Sequence, residues 1–215
     1  MDVGVLYSGG KDSTLAALTL EPFASLTLLC CTFGITDDHE HALDAGERIG
    51  FRTRRVDLDP DVAHAAADQL VADGFPRNGI QTVHEHALET VAALEFDAIA
   101  DGTRRDDRVP TVSRSLAQSL EDRHDVAHLA PLAGIGRRAI DAMVEQSLTI
   151  ETGPSTEIPT GDYETELRTL LAERDRSRES TETGTLVDEI FPPHTQSRVT
   201  GRRCVSGQAG HSQRQ

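Results

Sequence analysis

The chain has 215 residues, 36 acidic and 21 basic side chains, and a formal net charge of −15. That length suits one α/β domain with an appendage, and so acidic a surface does not gather nucleic acid by its overall charge. No apolar run approaches the roughly 18 residues a membrane helix needs. Three cysteines (Cys30, Cys31, Cys204) without a C-x-x-C exclude a zinc or iron–sulfur site built from Cys alone.

In chain order, Val3-Gly4-Val5-Leu6-Tyr7 is an apolar run that predicts a buried strand, and Thr14–Leu18 predicts the first turns of a helix. The turn between them is Ser8-Gly9-Gly10-Lys11-Asp12-Ser13. Its glycines allow successive N–H groups to point inward, and the helix start adds free donors and a positive dipole end. Ser8, Ser13 and Lys11 add two hydroxyls and a charge, so the turn suits a phosphate chain. Of the 21 basic residues, 20 are Arg and one is Lys, and that Lys is Lys11. A compact ammonium and an Arg fork are not interchangeable against phosphate, so the lone Lys reads as required by chemistry.

Leu26–Phe33 predicts a second strand buried on both faces, with Cys30 and Cys31 pointing to opposite sides. Residues 38–50 predict a helix, Arg52–Leu58 a third strand and Asp61–Asp73 a helix. A loop is expected over 74–79, an amphipathic helix over Gln81–Leu94, a fourth strand over Phe96–Ala100, a fifth over Asp125–Leu129 and a helix over Arg137–Leu148. Strands alternating with helices predict a doubly wound, mostly parallel five-stranded α/β sheet. Ligands in such folds bind beyond the carboxyl ends of the strands. That makes Thr32-Phe33 a candidate base wall. It also singles out Asp101–Arg108, with three carboxylates and three guanidiniums in eight residues. The string His-Glu-His-Ala-Leu occurs at 39–43 and 84–88. It forms no H-E-x-x-H, and His residues two apart on a helix share no face, so no metal site is read there.

Residues 151–215 change character. A loop is expected over 151–160, a helix over 162–176, a polar stretch to 185 and a strand or short helix at 186–191. Residues 190–215 carry Arg198, Arg202, Arg203 and Arg214 with no acid, a basic and flexible tail expected to fold over the site or meet RNA. The division expected is a 1–150 nucleotide-binding domain and a 151–215 extension.

The string Ser8-Gly9-Gly10-Lys11-Asp12-Ser13, directly after the first strand, resembles the pyrophosphate loop of the PP-loop ATP pyrophosphatases, the adenine nucleotide alpha-hydrolase-like superfamily. The resemblance covers roughly residues 1–150. It implies a Rossmann-like fold and cleavage of ATP to AMP and pyrophosphate, adenylating a tRNA base or a modified protein residue for amidation or thiolation. Tyr7, Ser8, Gly9, Gly10, Lys11, Asp12, Ser13, Thr32, Phe33, Gly102 and Thr103 would then bind ATP, with Lys11 and Asp12 catalytic. Gly102, Thr103, Asp106 and Asp107 fit the family's post-strand-four segment loosely, so Asp106 and Asp107 are expected to hold Mg²⁺. Arg104, Arg105, Arg108, Arg137 and Arg198 are expected on the substrate. No glutaminase domain fits, so ammonia would be free or delivered by a partner, an ammonia- or sulfur-donating protein, and the paired Cys of many sulfur-inserting relatives are missing. The chain reads as cytoplasmic, without a membrane, and compatible with a homo-oligomer. Its acidic, Lys-poor composition resembles proteins of salt-loving organisms. The contrasting reading is a non-catalytic nucleotide-binding or regulatory module on the same fold.

Overall fold

The computed structural model describes residues 1–176 and 185–203. Five strands form one sheet: β1 (Asp2–Leu6), β2 (Ser25–Thr32), β3 (Arg52–Asp57), β4 (Ala98–Ala100) and β5 (Ala127–Leu129). Their order is β3-β2-β1-β4-β5, and every pairing is parallel. The chain runs outward from β1 to β3, then returns to place β4 on the other side of β1. The topological switch therefore lies between β1 and β4, where doubly wound sheets open a crevice.

The helices α1 (Lys11–Leu20), α2 (His39–Arg48), α3 (Pro60–Asp73), α4 (Arg77–Ala92), α5 (Arg114–His124) and α6 (Arg137–Ser147) cover the two faces. Alternation along the inner strands divides the core. Val3, Val5, Leu28 and Cys30 pack with α1, α2 and α6, while Leu6, Leu29 and Cys31 pack with α3 and α4. Cys30 and Cys31 thus lie buried on opposite faces, and burial pushes the Cys30 thiol up to about 12. The edge strand β3 carries Arg52, Arg54 and Arg55, charges that discourage further strand pairing.

Three departures from the sequence reading matter. Helix α4 starts at Arg77, inside the expected loop. Helix α5 was not foreseen: it buries only Leu120, so its apolar stripe is faint. Ser113 caps it at the Leu116 N–H, and Asp125 ends it at φ 53°, so the fifth strand starts at Ala127 rather than Asp125. Of the two alternatives expected at 186–191, the chain takes the short helix, α8 (Leu186–Ile190). The expected loop and flexible tail give way to an antiparallel pair, β6 (Leu148–Pro154) and β7 (Thr195–Arg202). The paired segments lie more than forty residues apart in sequence, a non-local contact that local composition does not encode. The rest of the expected tail, 204–215, lies outside the described residues.

Helix α7 (Tyr163–Arg176) lays Leu167, Leu170 and Leu171 into the same apolar cluster as α3 and α4. Residues beyond 150 therefore complete the core that residues 1–150 begin. No helix among the described residues is long and apolar enough to cross a membrane.

Candidate functional site

The loop between β1 and α1 is held from behind. The Ser8 carbonyl accepts from the Gly161 N–H at 2.9 Å, and the Gly9 carbonyl from the Val199 N–H of β7 at 3.0 Å. The Gly10 carbonyl accepts from the Thr14 hydroxyl at 2.8 Å. Gly9 takes φ +79°, and a Cβ there would stand 3.1 Å from the Ala42 backbone, so the turn requires glycine. Gly10 caps α1 without any side-chain acceptor. The first amides of the helix thus have no capping side chain, as at an anion site.

The loop after β4 lies directly against that first turn. A Cβ on Gly102 would stand 2.8 Å from the Ser13 nitrogen, so only glycine permits the approach. Asp101 fixes this loop: one carboxylate oxygen accepts from the Thr103 N–H, and the other meets His128 Nε2 on β5, both at 2.7 Å. Burial would raise the Asp101 carboxyl, but the His128 hydrogen bond, the nearby His84 and the Thr103 bonds outweigh it and hold it below its ordinary value.

Two cations converge on Asp12. Lys11 Nζ lies 2.9 Å from one oxygen and Arg104 Nη1 3.4 Å from the other. Asp107 orients Arg104, accepting from Nη2 at 2.5 Å, from Nε at 3.0 Å and from the Arg104 N–H at 2.8 Å. Those hydrogen bonds push the Arg104 guanidinium above its ordinary value.

Two cavities meet at this point. One, of about 330 Å³, is mainly apolar and runs under Tyr7, Ser8, Gly102 and Thr103 toward α4, α7 and Phe191. The other, of about 380 Å³, is polar and holds Gly10, Lys11, Arg104 and Arg137 opposite Thr195, Gln196 and Ser197 of β7. Ser8, Asp12, Ser13 and Asp162 line both. The arrangement offers an apolar slot, an anion cradle and a cationic chamber in sequence.

Other expected residues fall elsewhere. Thr32 and Phe33 line neither cavity, because buried Glu166 of α7 occupies the turn after β2. Its carboxylate accepts from the Thr32 hydroxyl at 2.9 Å and from the Phe33 and Ile35 N–H groups at 3.0 and 3.1 Å. Asp106 turns outward and accepts from the Arg137 N–H at 2.9 Å, capping α6, with Arg105 alongside. Those bonds hold its carboxyl below the ordinary value. Arg108 is exposed, outside both cavities. Arg198 pairs with Glu151 across the β6–β7 ribbon at 2.6 Å. Arg202 meets Glu21 at 2.8 Å and lies over the Phe51 ring.

Among the described residues, no three His, Cys, Asp or Glu side chains converge to hold a metal. Asp106 and Asp107 both have their oxygens engaged by protein donors. Asp12, on the wall between the cavities, likewise has Lys11 against one oxygen and Arg104 against the other.

Sequence reasoning did not single out Asp162, Glu166 or His84, and reached Gln196 only as part of the tail expected to fold over the site, whose Thr195, Gln196 and Ser197 line the polar cavity. Asp162, Glu166 and Gln196 come from residues beyond 160, brought in by tertiary folding. His84 carried a local signal: it stands on the buried stripe of α4, four residues from Ile80 and from Leu88.

Fold and site together define an α/β Rossmann-like protein with an anion-type loop at its topological switch point. The chain belongs to the family of unknown function DUF7411, which it matches over residues 1–201. An uncharacterised protein of Methanocaldococcus jannaschii is 37% identical over 202 residues, covering 94% of this chain and 96% of its own. A crystal structure from the same species, described as a predicted subunit of tRNA methyltransferase, superposes with a TM-score of 0.84 at 36% identity, over 95% of this chain and 98% of that one. A U34-tRNA thiolase of Methanococcus maripaludis, solved with its [4Fe-4S] cluster, is 20% identical over 67% of this chain and 56% of its own, with a TM-score of 0.42.

Proposed function

We propose that this protein binds ATP with its phosphates on the Ser8–Ser13 loop and cleaves it between the α- and β-phosphates, adenylating an acceptor in tRNA modification. The anion cradle carries the reading: α1 starts with no capping side chain, the loop carbonyls are tied away by Gly161 and Val199, and Lys11 and Arg104 stand beside it. The resemblance of Ser8–Ser13 to the PP-loop supports the α–β cleavage. In the step, an acceptor oxygen bonds to the α-phosphorus, the bridging P–O bond breaks, and pyrophosphate leaves with the electron pair. Lys11, Arg104 and the loop amides stabilise the departing charge, and positioning does most of the remaining work. Mg²⁺ bound with the phosphates would add charge neutralisation beside Asp12. Ammonia or sulfide then displaces AMP.

The description of the M. jannaschii relative as a predicted subunit of tRNA methyltransferase supports the tRNA link. It also favours a second reading, a nucleotide-binding subunit of a tRNA-modifying assembly that does not turn ATP over. The test is purified protein with ATP, Mg²⁺ and bulk tRNA, resolved for AMP plus pyrophosphate against ADP plus phosphate. AMP and pyrophosphate are expected, reduced at least about tenfold (about 1.4 kcal/mol) by Lys11→Ala. Products of β–γ cleavage, or an unaffected variant, would overturn the first reading. ATP binding without turnover would select the second.

A further inference from the structure

The sequence points to the turn after β2 as the wall for the nucleotide base, and the structure closes that turn. The Phe33 and Ile35 amides donate to Glu166, which is 4% exposed. The apolar cavity begins instead at Tyr7 and Ser8 and ends against α4, Tyr163 and Phe191. At about 330 Å³ it stands near the low end of small-molecule pockets, roughly 300 Å³, the size of a nucleoside rather than a larger group.

Its polar groups are of several kinds. Ser8, Asp12 and Ser13 belong to the loop after β1, and Thr103, Asp107, Asp162 and Glu164 line the cavity as well. Deeper in, Asp101 is fully committed to Thr103 and His128. His84, on α4, is 5% exposed, and its Nε2 is buried with no hydrogen-bond partner among the described residues. A buried polar atom without a partner is rare in a folded protein and calls for a ligand or a water. Around it, Leu6, Leu29, Ile80 and Phe191 supply apolar wall, and the Tyr163 ring meets the imidazole edge-on at 6.2 Å.

We infer that this cavity is a nucleobase slot in which the His84 imidazole hydrogen-bonds the heteroaromatic ring of a nucleoside triphosphate whose phosphates rest on the Ser8–Ser13 loop. The inference rests on the nucleotide reading of that loop and adds where the base goes and which side chain meets it. A neutral imidazole in an apolar wall suits an uncharged ring. It brings no positive charge to a phosphate, so base and phosphate recognition separate along the cleft.

Calorimetric titration of the full chain with ATP and, separately, with inorganic tripolyphosphate tests the assignment. His84→Phe keeps the ring and removes both nitrogens. It is expected to weaken ATP about tenfold while leaving tripolyphosphate within about twofold, whereas Lys11→Ala weakens both. A wild-type readout guards against a variant that folds poorly: the His84 ring ¹⁵N resonances should shift with ATP and stay in place with tripolyphosphate. Equal ATP affinity in wild type and a folded His84→Phe, or ring resonances that do not respond to ATP, would overturn the slot while tripolyphosphate still bound. Failure of the wild type to bind either ligand would overturn the loop reading itself, and the slot with it.

Discussion

Two turns leave the same edge of the sheet from neighbouring strands, and the protein treats their backbone amides in opposite ways. After β1, the helix starts on Gly10 with no side-chain acceptor, and the loop carbonyls are drawn away by Gly161 and Val199. After β2, the chain brings Glu166 from more than 130 residues away and gives the amides of Phe33 and Ile35 a buried carboxylate. Both turns are rich in donors. The fold thus leaves the helix-start amides of the first turn without a capping acceptor and supplies one to the amides of the second.

The largest expected effect comes from removing the supplied acceptor. Glu166→Ala strands two backbone N–H groups and the Thr32 hydroxyl in the core. Each unsatisfied buried donor costs roughly 1–3 kcal/mol, so urea unfolding should show a loss of about 3 kcal/mol or more. Because the turn is structural, ATP affinity of the folded fraction should not improve. A variant that binds ATP more tightly than wild type would show that Glu166 competes for a binding surface, and the contrast between the turns would break.

This contrast also marks how far the sequence could be read. The loop at 8–13 is local: strand, glycines, Lys and helix start are adjacent, so its chemistry is visible in eight residues. The parallel sheet follows from runs such as Leu26–Phe33, whose burial on both faces needs no knowledge of the partners. Glu166 reaches the turn after β2 through α7, and Asp162 and Gln196 reach the cleft from the start of α7 and from β7, elements whose places depend on contacts across the chain. Nothing near Phe33 in sequence reveals that its amide is taken. Asp106 and Asp107 were visible as carboxylates, but not the Arg137 N–H and the Arg104 fork that engage them. His84 lay between these cases, a polar residue on an apolar stripe.

The same opposition holds for two buried side chains, and pH separates them. Asp101 has its partners, and its carboxyl lies below the ordinary 3.8. Its contribution to stability is therefore complete above about pH 4 and is lost as pH falls through the lowered value. His84 has no partner at Nε2. Burial lowers its pKa from 6.5, and nearby His128 lowers it further, against the opposing pull of Asp101 and Glu85. The unfolded chain then takes up this proton before the folded one does. Stability should be full above about pH 6.5 and decline below it. Urea midpoints measured between pH 7.5 and 5 should fall in wild type and fall less in His84→Phe, both dropping again below pH 4. A flat wild-type profile between pH 7.5 and 5 would mean that His84 finds a partner in solution.

The smallest effect is expected where cations repeat the pattern. Lys11 and Arg104, though paired with Asp12, line the polar cavity beside the loop, whereas Arg198 is taken up by Glu151 on the exposed ribbon. Such surface pairs contribute at most about 1 kcal/mol, since water screens the charges and the side chains lose rotamer freedom. Arg198→Ala should shift the unfolding free energy by less than that and leave ATP affinity unchanged. Its effect on tRNA is the sharper question, because an Arg contacts phosphate only by releasing its carboxylate. If Glu151 keeps it, the variant should bind tRNA within about twofold of wild type at every salt concentration. If Arg198 swings to the RNA, affinity should drop at low salt and the slope of log K against log salt should fall by about one counterion. Glu151→Ala, which frees the guanidinium, should then bind more tightly than wild type. That paired outcome would show that a side chain sealed in the free protein can become open when a polyanion arrives, and the division drawn from the two turns would hold for backbone amides alone.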